Sequence, residues 1–177
     1  MKKAFTLIEL LVTITIFSIV VTAFLNLFSS AFQEQRKNLI QAYLLNNASY
    51  ITEYLSRALR MARKDMTGIC IGEKENYQNP GGEISRIKFL NDDEECQEFF
   101  FDSTDEMLKI AREGVSLPLT PSNIKVKNLK FEILGASQTD KLQPKVTIVL
   151  KLKTTSQPSL ELEFQTTVSQ RQLDVQY

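Results

Sequence analysis

Residues 1–28 read MKKAFTLIELLVTITIFSIVVTAFLNLF, and the reading of the whole chain turns on them. Two lysines and an alanine precede Phe5, which opens a run of 24 residues to Phe28 with no glycine, no proline and one charge, Glu9. As a helix that run is about 36 Å long, enough to cross a hydrocarbon core of about 30 Å. Lys2 and Lys3 place the amino-terminal side in the cytoplasm, because short flanks rich in Lys and Arg stay on the inner face. The remainder of the chain is then exported. Glu9 is the anomaly. An ionised carboxylate inside a bilayer costs several kcal/mol, so an acid there calls for a function and a partner. Lys2 and Lys3 lie about two turns back and sit in water. The partner therefore comes from another molecule, and a free amine at Phe5, made by cutting after Ala4, is the group that a neighbouring copy offers.

The string KKAFTLIELLV resembles the class III signal of type IV pilins and pseudopilins: a short basic leader, a small residue, Phe, and Glu five positions into the mature helix. The resemblance implies cleavage between Ala4 and Phe5 by a membrane prepilin peptidase, N-methylation of Phe5, and use of Glu9 to recruit subunits into a helical filament. It also implies as partners other pilin or pseudopilin subunits, an inner-membrane assembly platform, and membrane lipid before assembly. Ala4 stands where most members carry Gly, and Asn26 where many major pilins carry a helix-loosening Pro or Gly. Two plainer readings compete. A secretory signal would use Val21-Thr22-Ala23 before its cleavage site, and a simple signal anchor would keep the whole segment. Neither explains Glu9.

Composition narrows the rest. In 177 residues there are 21 basic and 21 acidic side chains, and loss of Lys2 and Lys3 leaves 19 against 21. Nucleic acid is not indicated by that balance. The absence of histidine removes the commonest general base and the commonest metal ligand. Cys70 and Cys96 form no C-x-x-C pair, so a zinc site is not expected. If the domain is exported, a disulfide between them is chemically allowed, and two unpaired thiols in an apolar core are the alternative.

From 29 to 64 the sequence still has no Gly or Pro but becomes amphipathic. Ile40, Leu44, Ala48, Ile51, Leu55, Ala58, Leu59 and Ala62 recur at helical spacing and share one stripe, which predicts a helix face laid on a folded domain. Thr67-Gly68 is the first stop signal, preceded by Arg60, Arg63 and Lys64. Beyond it, short β-like runs at 84–90, 96–101 and 107–112 are separated by spacers of hairpin length and predict an antiparallel meander. Phe99, Phe100 and Phe101 in succession require at least one ring to face away from the helix. Asp92, Asp93, Glu94 and Glu95 cluster oxygens but lack the spaced, glycine-containing loop of a calcium motif. The segment 113–123, with Pro118 and Pro121, reads as a connection, and three longer strands follow at 124–134, 145–155 and 159–173. In the last two, apolar residues alternate with polar ones, so one face is buried and the other wet.

The expectation is an α+β, type IV pilin-like fold in which a long amino-terminal helix packs on an antiparallel β-sheet. Its expected parts are a cleaved leader at 1–4, a transmembrane and filament-core helix over 5–28, an amphipathic continuation over 29–66 and a globular β domain over 67–177. The six glycines form neither a nucleophile elbow nor a phosphate loop, so no enzyme, cofactor or metal site is expected. The expected function is that of a structural subunit of a type IV pilus, type II secretion pseudopilus or DNA-uptake filament. A polar stretch near the carboxyl end, Thr166-Thr167-Val168-Ser169-Gln170-Arg171, resembles the minor pilins and J-type pseudopilins and favours a low-copy role. The competing class is a single-pass anchored extracytoplasmic binding module that does not polymerise.

Overall fold

A computed structural model describes residues 6–137 and 142–172. The chain divides into two compact units, Met1–Ile40 and Gln41–Tyr177. Helix α1, Leu7–Met61, supplies the described backbone of the first unit and the first element of the second. With no Gly or Pro inside it, nothing in the sequence interrupts its hydrogen-bond ladder.

In the second unit the predicted stripe is the buried face. Leu44, Ala48, Ile51, Leu55 and Leu59 are buried, as is Ala62 just past the helix end, while Ala58 is partly covered. Each large aliphatic side chain so buried contributes about 1.5–3 kcal/mol, more than helix propensity alone supplies over the same span.

The helix ends at Met61, short of the Thr67-Gly68 signal, because its last carbonyls and the next residues find partners elsewhere. The Tyr77 hydroxyl donates to the Leu59 carbonyl, the Arg171 amide to Arg60 (2.8 Å) and the Gln170 side-chain amide to Ala62 (2.7 Å). Arg63 then pairs with Leu90 as an isolated bridge and draws the backbone into extended form.

Seven strands follow: β1 Arg86–Leu90, β2 Cys96–Asp102, β3 Met107–Arg112, β4 Val115–Pro118, β5 Ile124–Leu134, β6 Lys145–Thr154 and β7 Glu161–Ser169. They form two antiparallel sheets rather than one, a four-stranded meander β1-β2-β3-β4 and a three-stranded meander β5-β6-β7. The two are stitched by Val126 N–H to Glu106 (2.8 Å) and Phe131 N–H to Ile84 (2.6 Å). A bulge between Val126 and Asn128 leaves Lys127 free to ion-pair with Glu106 beside the first stitch.

The segment expected to be a plain connection contains β4. Glu113 (φ 47°) and Gly114 (φ 82°) are both left-handed, the two-residue turn whose twist matches a hairpin, and it pairs Arg112 with Val115. All four β4 residues are exposed, so no buried-face alternation marks the strand.

The core joins the helix stripe to both sheets through Phe89, Phe99 and Leu108 on one side and Val126, Phe131, Ile148, Leu150 and Leu152 on the other. Of the three consecutive phenylalanines, Phe99 is buried and Phe101 packs against the core from its edge. Phe100 faces away and is covered by the Arg86 guanidinium, 5.5 Å from the ring centre. On β7 the expected buried face is only half realised. Val168 is buried, whereas Leu160, Leu162 and Phe164 are partly covered. The α+β, pilin-like architecture is the one observed.

Candidate membrane and assembly segment

Of the residues singled out at the amino terminus, Ala4 and Phe5 lie outside the described residues. Glu9 lies within them, in the first turn of α1. Thr6 starts the helix, its carbonyl accepting from Glu9 and Leu10 (both 3.2 Å) and its hydroxyl from the Glu9 amide (3.4 Å). Thr6-Leu7-Ile8-Glu9 has the spacing of a capping box, in which the acid reaches back to the cap residue. Only the hydroxyl half of that box forms. The Glu9 carboxylate has no hydrogen-bond or ion-pair partner among the described residues.

Its neighbours behave differently. Thr13, Thr15, Ser18 and Thr22 each donate a hydroxyl to a carbonyl three or four residues back, all at 2.8 Å. Such bonds satisfy hydroxyls without water, which makes them compatible with lipid. The remaining surface is apolar: Leu7, Ile8, Leu10, Leu11, Ile14 and Phe17 are all exposed. An 18-residue window of α1 has mean hydropathy 2.4 and is 0% buried within the protein. From Thr6 to Thr22, Glu9 is thus the one polar side chain the helix leaves unserved among the described residues.

The second pair singled out from sequence, Cys70 and Cys96, is joined by a disulfide with Cα atoms 5.3 Å apart. It ties the loop after α1 to the first residue of β2. Asp65, which the sequence reading passed over, organises that loop. It is 1% exposed. One carboxylate oxygen accepts from the Thr67 amide and hydroxyl (both 2.9 Å) and the Gly68 amide (2.8 Å), the other from Cys70 (2.7 Å) and Ile71 (3.0 Å). Burial by itself raises the Asp65 pKa, but the hydrogen bonds from Ile71, Cys70 and Thr67 outweigh it and hold the carboxyl well below the usual carboxylate range. The signal for this was present in Asp65-Met66-Thr67-Gly68, an Asx-turn pattern.

Two of the four acids of the β1–β2 hairpin are ion-paired within the protein. Arg63 pairs with Asp92 (2.9 Å) and Glu94 (3.0 Å), and no metal-holding group of three or more His, Cys, Asp or Glu occurs among the described residues.

Fold and segment together define a membrane-anchored α+β protein with an apolar amino-terminal helix. Residues 1–25 match the family described as the prokaryotic N-terminal methylation motif, the type IV prepilin-like signal. The motif, which covers 25 of the 177 residues, indicates a pilin- or pseudopilin-type processed subunit and implies processing by prepilin peptidase and association with other pilin subunits. No curated protein and no solved structure matches the chain.

Proposed function

We propose that the chain is a low-copy structural subunit of a type IV pilus, type II secretion pseudopilus or DNA-uptake filament. Prepilin peptidase cuts between Ala4 and Phe5, Phe5 is N-methylated, and the helix enters the filament from the cytoplasmic membrane through an assembly platform. Lys2 and Lys3 keep the amino terminus in the cytoplasm and the β domain outside. The observation that carries this reading is Glu9, a carboxylate without a partner among the described residues on a helix whose neighbouring hydroxyls are all satisfied. Its complement in an assembly is the methylated amine of Phe5 on another copy, since an opposite charge lowers the cost of holding an acid in oil. The uninterrupted helix supports the low-copy role.

The test has two parts. Mass spectrometry of the native protein should give N-methyl-Phe5 as the first residue. Glu9→Ala should be inserted and cut normally yet enter filaments at a few per cent of the wild-type level. Normal incorporation of that variant removes the role assigned to Glu9. A retained Met1 or a start at Phe24 supports the second reading, an anchored module that never polymerises.

A further inference from the structure

The sheet β5-β6-β7 ends in an open edge. The Thr154 N–H donates to the Leu160 carbonyl (2.9 Å) and the Gln170 N–H to the Pro144 carbonyl (3.1 Å), which fixes the phase of the β6–β7 ladder from both ends. In an antiparallel ladder such bonded pairs recur at every second residue, so Leu162, Phe164, Thr166 and Val168 turn their backbone groups to β6. Glu161, Glu163, Gln165, Thr167 and Ser169 turn theirs outward, where no backbone group of the described residues meets them. Beside this edge runs a groove of about 530 Å³, with Leu45, Ala48 and Thr52 of α1 on one wall and Leu162, Phe164 and Thr166 of β7 on the other. An unfilled groove is why Leu162 and Phe164 stay only partly covered. Nine residues of unpaired edge along an apolar wall form a template for one more strand.

The four-stranded sheet ends in the opposite deficiency. On β4, Val115 and Leu117 share the face of Ile110, which is buried, yet they are 62% and 59% exposed. They overhang the core uncovered. The Glu113-Gly114 turn makes Arg112 and Val115 a bonded pair, so Ser116 and Pro118 carry the outward groups, one N–H and two carbonyls. Strand β4 thus lacks an apolar floor, and β7 has a floor without a strand.

The two strands also run in opposite directions along the Gln41–Met61 part of α1. Strand β7 starts where Leu162 lies with Gln41 and Leu44, and past its end Gln170 reaches the Ala62 carbonyl. Strand β4 starts beside Arg112, which donates to Tyr54, and leads back to Asn123, which accepts from Tyr43 (2.9 Å). Two copies whose helices point the same way therefore present β4 and β7 to each other antiparallel. We propose that the β7 groove takes β4 of a second copy, which joins the sheet as its fourth strand. Centred on Phe164, the pairing sets Leu117 beside Phe164 and Val115 beside Thr166, all four turned toward the groove. Ser116 then bonds to Gln165, and the Pro118 carbonyl accepts from the Glu163 N–H. No like charges oppose each other in this register. Because the two surfaces differ, the contact is heterologous and repeats from copy to copy, as a filament requires. The inference rests on the filament-subunit reading and names one of its contacts, for which two adjacent copies suffice.

The experiment uses the full chain in membranes of producing cells, where copies are confined and share one orientation. Val115→Cys and Thr166→Cys are made singly and together, and the membranes are treated with a mild oxidant. A non-bonded antiparallel pair brings Cα atoms to about 4.5 Å, within disulfide range. Val115 and Thr166 lie on strands of different sheets, and the native cysteines are already bonded to each other. The expected result is a reducible ladder of dimers, trimers and higher species from the double variant and monomer from each single variant. Adding Leu117→Asp to the double variant should cut the ladder about tenfold, since it drives a charge into an apolar groove. Its melting temperature should hold, because Leu117 is exposed in the single copy. A folded double variant that stays monomeric, or dimers at similar yield from either single variant, overturns the proposal. Failure here is distinct from failure of the filament reading, which N-methyl-Phe5 tests. N-methyl-Phe5 without a ladder removes the contact alone, and a ladder with Met1 retained keeps the contact and removes the filament.

Discussion

Asp65 shows how a single side chain can hold a segment that has no regular structure. Its carboxylate replaces the water that the amides of Thr67, Gly68, Cys70 and Ile71 would otherwise need. Asp65→Asn keeps the shape but turns an NH₂ group toward donors, which should cost about 3 kcal/mol and lower the melting temperature by about 6–12 °C at neutral pH. The pH dependence has a definite sign. Because the folded pKa is depressed, the stabilisation is fully present above the unfolded value of 3.8 and is lost as pH falls below it toward the folded value. Both proteins should lose stability on acidification through Asp102, Glu106 and Glu161, but wild type should lose more below that point, so the gap between their melting curves should close. A gap that stays constant down to about pH 2 would show that Asp65 contributes shape and no charge. Little of this was legible in advance. An aspartate before Thr and Gly suggests a turn, but its burial depends on β1 and on residues near Ser137 closing over the loop.

At the scale of elements, α1 is the best-read part of the sequence and its ending the least. The stripe from Leu44 to Leu59 follows from spacing alone, because one helical period fits one buried face. The stop at Met61 depends on Tyr77, Gln170 and Arg171, which lie far along the chain and give no local sign. Tyr77→Phe removes the hydroxyl that caps Leu59 and should cost about 1–2 kcal/mol, read as a lower denaturation midpoint with an unchanged slope. The disulfide acts on the same corner. Residues 26 apart in sequence are joined, and reduction should cost about 3–4 kcal/mol through the wider freedom of the unfolded loop. Melting with and without a reductant checks this, and a shift under about 3 °C would contradict it. Strands β1, β2, β3, β5 and β6 were legible because each alternates against a core. Strand β4 was not, since Val115 and Leu117 are both exposed and only the Glu113-Gly114 turn fixes the pairing. The break into two sheets was equally hidden, because alternation identifies a buried face without identifying its neighbours.

For the whole molecule, one end is built for lipid and the other for water. An apolar surface from Leu7 to Phe28 with hydroxyls turned inward to the backbone predicts that the chain stays in the membrane pellet after carbonate washing. Recovery in the wash would contradict the anchor. The candidate site was legible where chemistry is written in one residue, as with Glu9, an acid within an apolar run. It was not legible where the chemistry depends on burial by distant parts of the chain, as with Asp65, which reads as an ordinary turn residue.

The internal pairing of Thr13, Thr15, Ser18 and Thr22 has a practical corollary for spectroscopy. None of those hydroxyls is bonded to Glu9, which the sequence makes the one carboxyl of the stretch, so an isotope-labelled Glu9 gives an infrared band assignable to a single site. A protonated acid and a carboxylate absorb at well-separated frequencies. The same label can therefore report which of the two forms a subunit carries before and after it joins its neighbours.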